Sequence, residues 1–166
     1  FLAGLAFFIY IGAAGEARQT TMRADLEGVH VGDVMTPADR VTTVDPKQSV
    51  QALIQTMFRE RHTGYPVEKN GEIVGLVTLE DARAVREVER DAYTVGDVMT
   101  TDLYTVTADT DVMDALQQLE SNSVGRLIVT DADGAFCGLL TRSDIMTALS
   151  ILRSGGRVAG LAQSEV

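Results

Sequence analysis

Two stretches of the chain carry a helical stripe of apolar side chains. Val50, Leu53, Ile54 and Met57 share one face of a 3.6-residue period, and so do Val112, Ala115, Leu116 and Leu119. Each stripe starts just after a residue suited to cap a helix, Ser49 in the first case and Asp111 in the second. A short extended stretch precedes each helix, Val41 to Val44 and then Tyr104 to Val106. Two brief apolar runs follow each helix. Tyr65 to Val67 and Glu72 to Val77 flank Asn70-Gly71, while Leu127 to Val129 and Ala135 to Leu140 flank Asp133-Gly134. Both dipeptides suit hairpin turns, because both of their residues tolerate positive φ. A further helix is predicted from about Glu80 and again from about Ser143. The order of elements is β-α-β-β-α, twice.

The duplication is also written in the residues themselves. Val31-Gly-Asp-Val-Met-Thr36 recurs 64 positions later as Val95-Gly-Asp-Val-Met-Thr100, and Gly75-Leu-Val-Thr-Leu-Glu-Asp81 is matched 63 positions later by Gly138-Leu-Leu-Thr-Arg-Ser-Asp144. A copy of about 60 residues buries too little surface to be comfortable alone. The expected fold is therefore α+β, with two β-α-β-β-α motifs packed in pseudo-two-fold symmetry and equivalent clefts between the halves. The motifs are placed at 31–92 and 93–152, joined through Arg90 to Thr94, with a linker at 16–30 whose neck is Gly28 to Gly32 and a flexible tail at 153–166.

The opening run Phe1 to Gly15 contains no charged residue and the chain does not begin with Met. Fifteen apolar residues fall short of the roughly 20 that cross a bilayer as a helix, and a signal peptide would carry a basic start. Two readings stand: the end of a transmembrane helix that begins before Phe1, or a helix packing on the body. Arg18 and Arg23 beside it favour a cytoplasmic exit. The chain is then membrane-anchored, with its duplicated part in the cytoplasm. A net charge of −10, with no cluster of Lys and Arg, argues against nucleic acid as a partner. Cys137 is the single cysteine, which rules out a disulfide within the chain and a cysteine-rich zinc site.

The repeated Gly-x-x-Thr-x-x-Asp pattern carries the chemistry. Thr78 and Thr141 fall where a strand ends and a helix begins, with Asp81 and Asp144 three residues on. One reading is a capping box, in which the hydroxyl and the carboxylate satisfy orphan backbone N–H groups. The other is a nucleotide cradle: a helix N-terminus with a hydroxyl suits phosphate, and a carboxylate one turn along suits a ribose diol. Gly75 and Gly138 would leave room for a ligand at the backbone. No catalytic constellation accompanies the pattern. His30 and His62 are isolated, no His-Glu-x-x-His or Cys-x-x-Cys occurs, and Asp131 with Asp133 sits in a turn.

Over about Val31 to Leu152 the chain resembles a tandem pair of CBS motifs, the Bateman module. The resemblance rests on the duplicated Val-Gly-Asp-Val-Met-Thr, on Tyr65-Pro66-Val67 and on the duplicated Gly-x-x-Thr-x-x-Asp. It implies a sensor of an adenosine ligand such as AMP, ADP, ATP or S-adenosylmethionine, and assembly as a homodimer. On that pattern Asp81 and Asp144 hold ribose and Thr78 and Thr141 the phosphate end. Adenine rests near Val41, Tyr65 and Pro66 in the first copy and near Tyr104, Leu127 and Ile128 in the second. The copies differ: Glu80 lies beside Asp81, whereas Arg142 takes the matching loop and Arg126 stands where the first copy has Gly64. The second site is expected to prefer multiply charged phosphates, unless Arg126 and Arg142 simply pair with surface acids. Ile128 replaces a proline usual in the family.

The junction from Phe8 to Thr36 is similar to the end of membrane-embedded zinc metalloproteases of the site-2 protease family, in the branch with C-terminal CBS pairs. That implies a regulatory, non-catalytic piece, with zinc bound only in a part outside this sequence. A CBS pair of an ion transporter or channel, or a dimerisation scaffold with degenerate pockets, are the alternatives.

Overall fold

A computed structural model describes residues 21–156. The elements run α1 (21–25), α2 (Val31–Val34), β1 (Thr36–Pro37), a 3-10 turn (Ala38–Arg40), α3 (Val50–Glu60), β2 (Gly64–Lys69), β3 (Glu72–Thr78), α4 (Leu79–Arg83), a 3-10 turn (Glu87–Glu89), α5 (Val95–Val98), β4 (Thr105–Thr107), α6 (Val112–Ser121), β5 (Arg126–Thr130), β6 (Phe136–Thr141) and α7 (Arg142–Arg153). The fold is α+β, as expected. The apolar run Phe1 to Gly15 lies outside the described residues, and among those described no helix is long and apolar enough to cross a membrane. Within the expected linker at 16–30, Leu26 and Val29 are fully buried.

The chain divides into two compact units that do not coincide with the two copies. One takes its described residues from 21–35, Thr107–Arg126 and 140–156; the other comprises Thr36–Val106 and Leu127–Leu139. In the second of these, α3 lays Val50, Leu53 and Met57 on a core with Val44, Tyr65, Val67, Val77, Ala82, Val85 and Val95. Ile54, the third residue of the stripe, is only partly buried. The β2–β3 hairpin pairs Tyr65 with Val77 and Val67 with Gly75. A sheet in the order β1-β6-β5-β4 also belongs to this unit apart from its outermost strand residues. In the other unit α6 buries Val112, Ala115, Leu116 and Leu119, and α7 buries Ile145 and Leu149. Each fully buried Val, Leu or Ile side chain contributes about 1.5–3 kcal/mol of transfer free energy.

Two local expectations are corrected. The stretch Val41 to Val44 is not a strand: Val44 alone makes a parallel bridge, to Val67. In the second copy Ile128 donates its N–H to the Tyr104 carbonyl at 3.0 Å, a bond that Pro66 at the corresponding place cannot make. That missing donor explains why one copy has β4 and the other a bridge. The Asn70-Gly71 turn has both residues at positive φ, 53° and 81°, as expected, but in Asp133-Gly134 only Gly134 is positive, at 83°. There the Asp131 carboxylate accepts the N–H groups of Asp133 and Ala135 at 2.9 Å each, which holds a longer loop of the type-I-turn-plus-bulge kind. Finally, α4 has five residues whereas α7 has twelve.

The repeated Val-Gly-Asp-Val-Met-Thr hexapeptide, read above only as a repeat, is a one-turn helix leading into a strand pairing. Val31 and Val95 are fully buried. Asp33 caps by accepting the His30 N–H at 2.9 Å, and Asp97 accepts both the N–H and the hydroxyl of Thr94 at 2.9 Å. A Cβ on Gly32 would lie 3.1 Å from the Ala108 carbonyl oxygen, and one on Gly96 would lie 3.1 Å from that of Pro46. Each glycine is there because another backbone passes close by. Thr36 pairs with Leu139, and Thr100 with Leu76.

The partners of these turns are exchanged between the copies. Val31 and Gly32 donate to the Thr110 and Ala108 carbonyls at 2.9 and 2.8 Å, and Val112 donates back to Val29 at 3.0 Å. In the other unit Val95 and Gly96 donate to Gln48 and Pro46 at 2.8 and 2.9 Å, and Val50 donates to Tyr93 at 2.9 Å. The entrance of each copy is thus stitched to the loop that starts the first long helix of the other.

Candidate functional site

The first-copy candidates all lie in one unit. Strand β3 delivers Thr78 in extended conformation to the start of α4, opposite Gly64. Asp81 Oδ2 accepts the Thr78 N–H at 2.8 Å and the Thr78 hydroxyl at 2.9 Å, and Thr78 Oγ1 accepts the Asp81 N–H at 3.4 Å. The capping-box reading is therefore realised. It uses one carboxylate oxygen and leaves the other for a further donor. Glu80 is exposed beside it.

The same geometry recurs in the second copy, within the other unit. Asp144 Oδ2 accepts the Thr141 N–H at 2.8 Å, and Thr141 Oγ1 accepts the Asp144 N–H at 3.1 Å. Here the cap starts a helix of twelve residues, so the partial positive charge of its N-terminus is fuller than at α4. Arg142 stands exposed at this start and bonds Glu120 at 3.4 Å, both side chains being about half exposed. Surface pairing of Arg142 is thus observed, and a pair so placed is worth little. Arg126 is half-buried and also engaged.

The residues assigned to adenine offer less than the caps. Tyr65 is 2% exposed, with its hydroxyl 3.5 Å from the Thr56 carbonyl, and Leu127 and Ile128 are 0% and 4% exposed. These side chains are core. Pro66 is buried and its carbonyl accepts from Val44 at 3.0 Å. Val41 is half-buried and Tyr104 is 42% exposed, so these two keep side-chain surface. Gly75 does not leave room for a ligand. A Cβ there would come 2.5 Å from Met99 Sδ and 3.1 Å from the Thr100 carbonyl oxygen, so the space belongs to the entrance of the second copy.

Among the described residues no group of three or more His, Cys, Asp or Glu side chains could hold a metal ion. Asp131, half of the acidic pair read in the turn, is spent on that loop. Cys137 is half-buried; burial first, and then the charge of Asp131, raises its thiol pKa.

Sequence reasoning missed the stitching residues, although Thr94-Val-Gly-Asp97 is itself a capping pattern and could have been read as a helix start. The stitch itself had no local signal, because its partners lie more than 40 residues away.

With the caps, the hairpins and the exchanged entrances in place, the comparison with known proteins is decisive. The family model described as CBS domain matches residues 31–87 and again 95–151. The chain belongs to the CBS-domain family. This CBS pair is 33% identical, with a TM-score of 0.67, to a crystal structure of CBSX2 in complex with AMP, over 76% of this chain and 99% of that one; CBSX2 comes from Arabidopsis thaliana. It is 28% identical over 148 residues to zinc metalloprotease MJ0392 of Methanocaldococcus jannaschii, which covers 89% of this chain. The pair spans 40% of the length of that metalloprotease. The CBS domain of a bacterial CNNM/CorC-family Mg2+ transporter in complex with ATP superposes with a TM-score of 0.70 at 24% identity over 82% of this chain and 97% of that one, a likeness of fold.

Proposed function

We propose that this CBS pair senses an adenosine ligand and tunes a membrane-embedded zinc metalloprotease of the site-2 type. The observation that carries the sensing part is the duplicated cap. In both copies a Thr-x-x-Asp pair holds a carboxylate at a strand-to-helix junction with one oxygen engaged and the other open. The likeness to CBSX2, whose structure holds AMP, supports the same class of ligand here. Asp81 and Asp144 take the ribose diol; Thr78 and Thr141, with the helix N-termini, face the phosphates. Because α7 is the longer helix and Arg142 stands at its start, the second copy takes the more highly phosphorylated ligand.

The likeness to MJ0392 supports the protease as the regulated partner. In this reading Phe1 to Gly15 ends a transmembrane helix, the CBS motifs at 31–92 and 93–152 lie in the cytoplasm, zinc is held elsewhere in a longer protein, and two pairs associate as a homodimer. Ligand acts by favouring one arrangement of the regulatory part over another.

One observation favours a second reading, a dimerisation scaffold with degenerate pockets: Tyr65, Leu127 and Ile128 are core, and Met99 fills the space over Gly75. Thermal melting of the chain with AMP, ADP, ATP and S-adenosylmethionine separates the two. A ligand that binds only the native state stabilises it by about 2.7 kcal/mol at a hundredfold excess over Kd. A shift with one of the four supports sensing; a melting temperature indifferent to all four, with a dimer by sedimentation, supports the scaffold. Full-length protease whose cleavage ignores a ligand shown to occupy the pair would remove the regulatory part of the proposal.

A further inference from the structure

We infer that the stretch 26–32 is a strap that reports the state of the second copy rather than of the copy it introduces. Leu26, Val29 and Val31 are each fully buried. They share their compact unit with α6 and α7 of the second copy, whereas α3 and the β2–β3 hairpin of the first copy lie in the other unit. Three backbone hydrogen bonds sew the strap to the loop 108–112, and His30 forms a bridge with Asp111, the N-cap of α6. Just upstream, Asp25 bonds Arg153 of α7 at 2.8 Å. A pair this exposed adds little energy, but it places α1 and the end of α7 side by side.

Opening the strap uncovers three apolar side chains and removes the Val29 carbonyl that accepts the Val112 N–H at the start of α6. Strap and α6 therefore open as one cooperative piece. The reciprocal piece is the connector 90–96, sewn by Gln48, Pro46 and Val50 to the start of α3. A perturbation of α7 is thus felt at the strap, which shares its unit, and one of β3 or α3 is felt at the connector, which shares theirs. This coupling is a property of the fold and does not depend on which ligand the pair takes.

Amide hydrogen exchange on the full chain tests it. Ile145→Val trims one methyl group from a fully buried position of α7, and Val77→Ala trims a fully buried position of β3 in the other unit. The first should speed exchange at Val31, Gly32 and Val112 by roughly two- to tenfold, matching α6 amides, and leave Val95 and Gly96 slower to respond. The second should do the reverse. The wild type supplies a measurement free of substitutions: in rising urea the Val31 and Gly32 amides should join the exchange isotherm of α6, not that of α3. Equal acceleration of both stitches by either variant, or a strap that exchanges freely while α6 stays protected, overturns the inference.

Discussion

Replacing Asp144 by Ala tests the account of the second cap, and its effect divides into two parts that a melting experiment can separate. Without ligand, the substitution removes the acceptor of the Thr141 N–H, held at 2.8 Å, and the negative charge at the start of a twelve-residue helix. Loss of this hydrogen bond costs about 1 kcal/mol, and loss of a carboxylate from a helix N-terminus costs about 0.3–1 kcal/mol more. At about 2–4 °C per kcal/mol for a chain of this size, the ligand-free melting temperature should fall by roughly 3–8 °C. Asp144→Asn keeps an acceptor and loses only the charge, so its fall should be at the small end of that range. With ligand, the wild-type stabilisation should be lost in Asp144→Ala beyond this baseline drop, because the same carboxylate is assigned to the ribose diol. Melting followed by circular dichroism, with and without AMP or ATP, reads both quantities. An unchanged ligand-free melting temperature would refute the capping argument. A ligand shift of wild-type size in the variant would refute the ribose assignment while leaving the cap intact.

Two glycines of the first copy should respond differently to Ala. Gly71, at φ 81° with open space around it, should cost about 1–2 kcal/mol of conformational strain, whereas Gly75→Ala drives a methyl into Met99 and the Thr100 carbonyl and should cost more, as chemical denaturation will read. Two hydrogen bonds from Thr94, backbone first and hydroxyl second, lower the Asp97 pKa. A lowered folded-state pKa gives stability that is complete above the ordinary carboxylate range and is lost as pH falls through the lowered value. Melting across the acid range should therefore show Asp97→Asn losing part of the wild-type acid slope. Cys137, its thiol pKa raised by burial and by Asp131, should alkylate more slowly at neutral pH than a free thiol, and Asp131→Asn should quicken it; mass spectrometry of iodoacetamide adducts checks this.

Much of this fold was legible because its local signals agree with one another. The stripes of α3 and α6, their caps Ser49 and Asp111, and the Asn70-Gly71 turn were all readable, since each depends on residues within one or two turns. What escaped depends on distant backbone. Nothing near Gly32 or Gly96 announces that a carbonyl from another part of the chain lies 3.1 Å from its missing Cβ. Gly75 reads as room for a ligand because its real neighbour, Met99, comes from the other copy. The first β-stretch is interrupted for a reason present in the sequence, the absent N–H of Pro66. For the candidate site, the Thr-x-x-Asp caps are legible, and the burial of Tyr65, Leu127 and Ile128 is not, because β2 and β5 are buried on both faces and a short apolar run does not distinguish that from a strand with one face open.

Calorimetric titration of the chain with AMP addresses the central claim, that this CBS pair binds an adenosine ligand through its duplicated caps. The account predicts saturable heat with the wild type, reduced in Asp81→Ala and in Asp144→Ala alone and abolished when the two are combined. Absence of binding by the folded wild type to AMP, and likewise to ADP, ATP and S-adenosylmethionine, would contradict it.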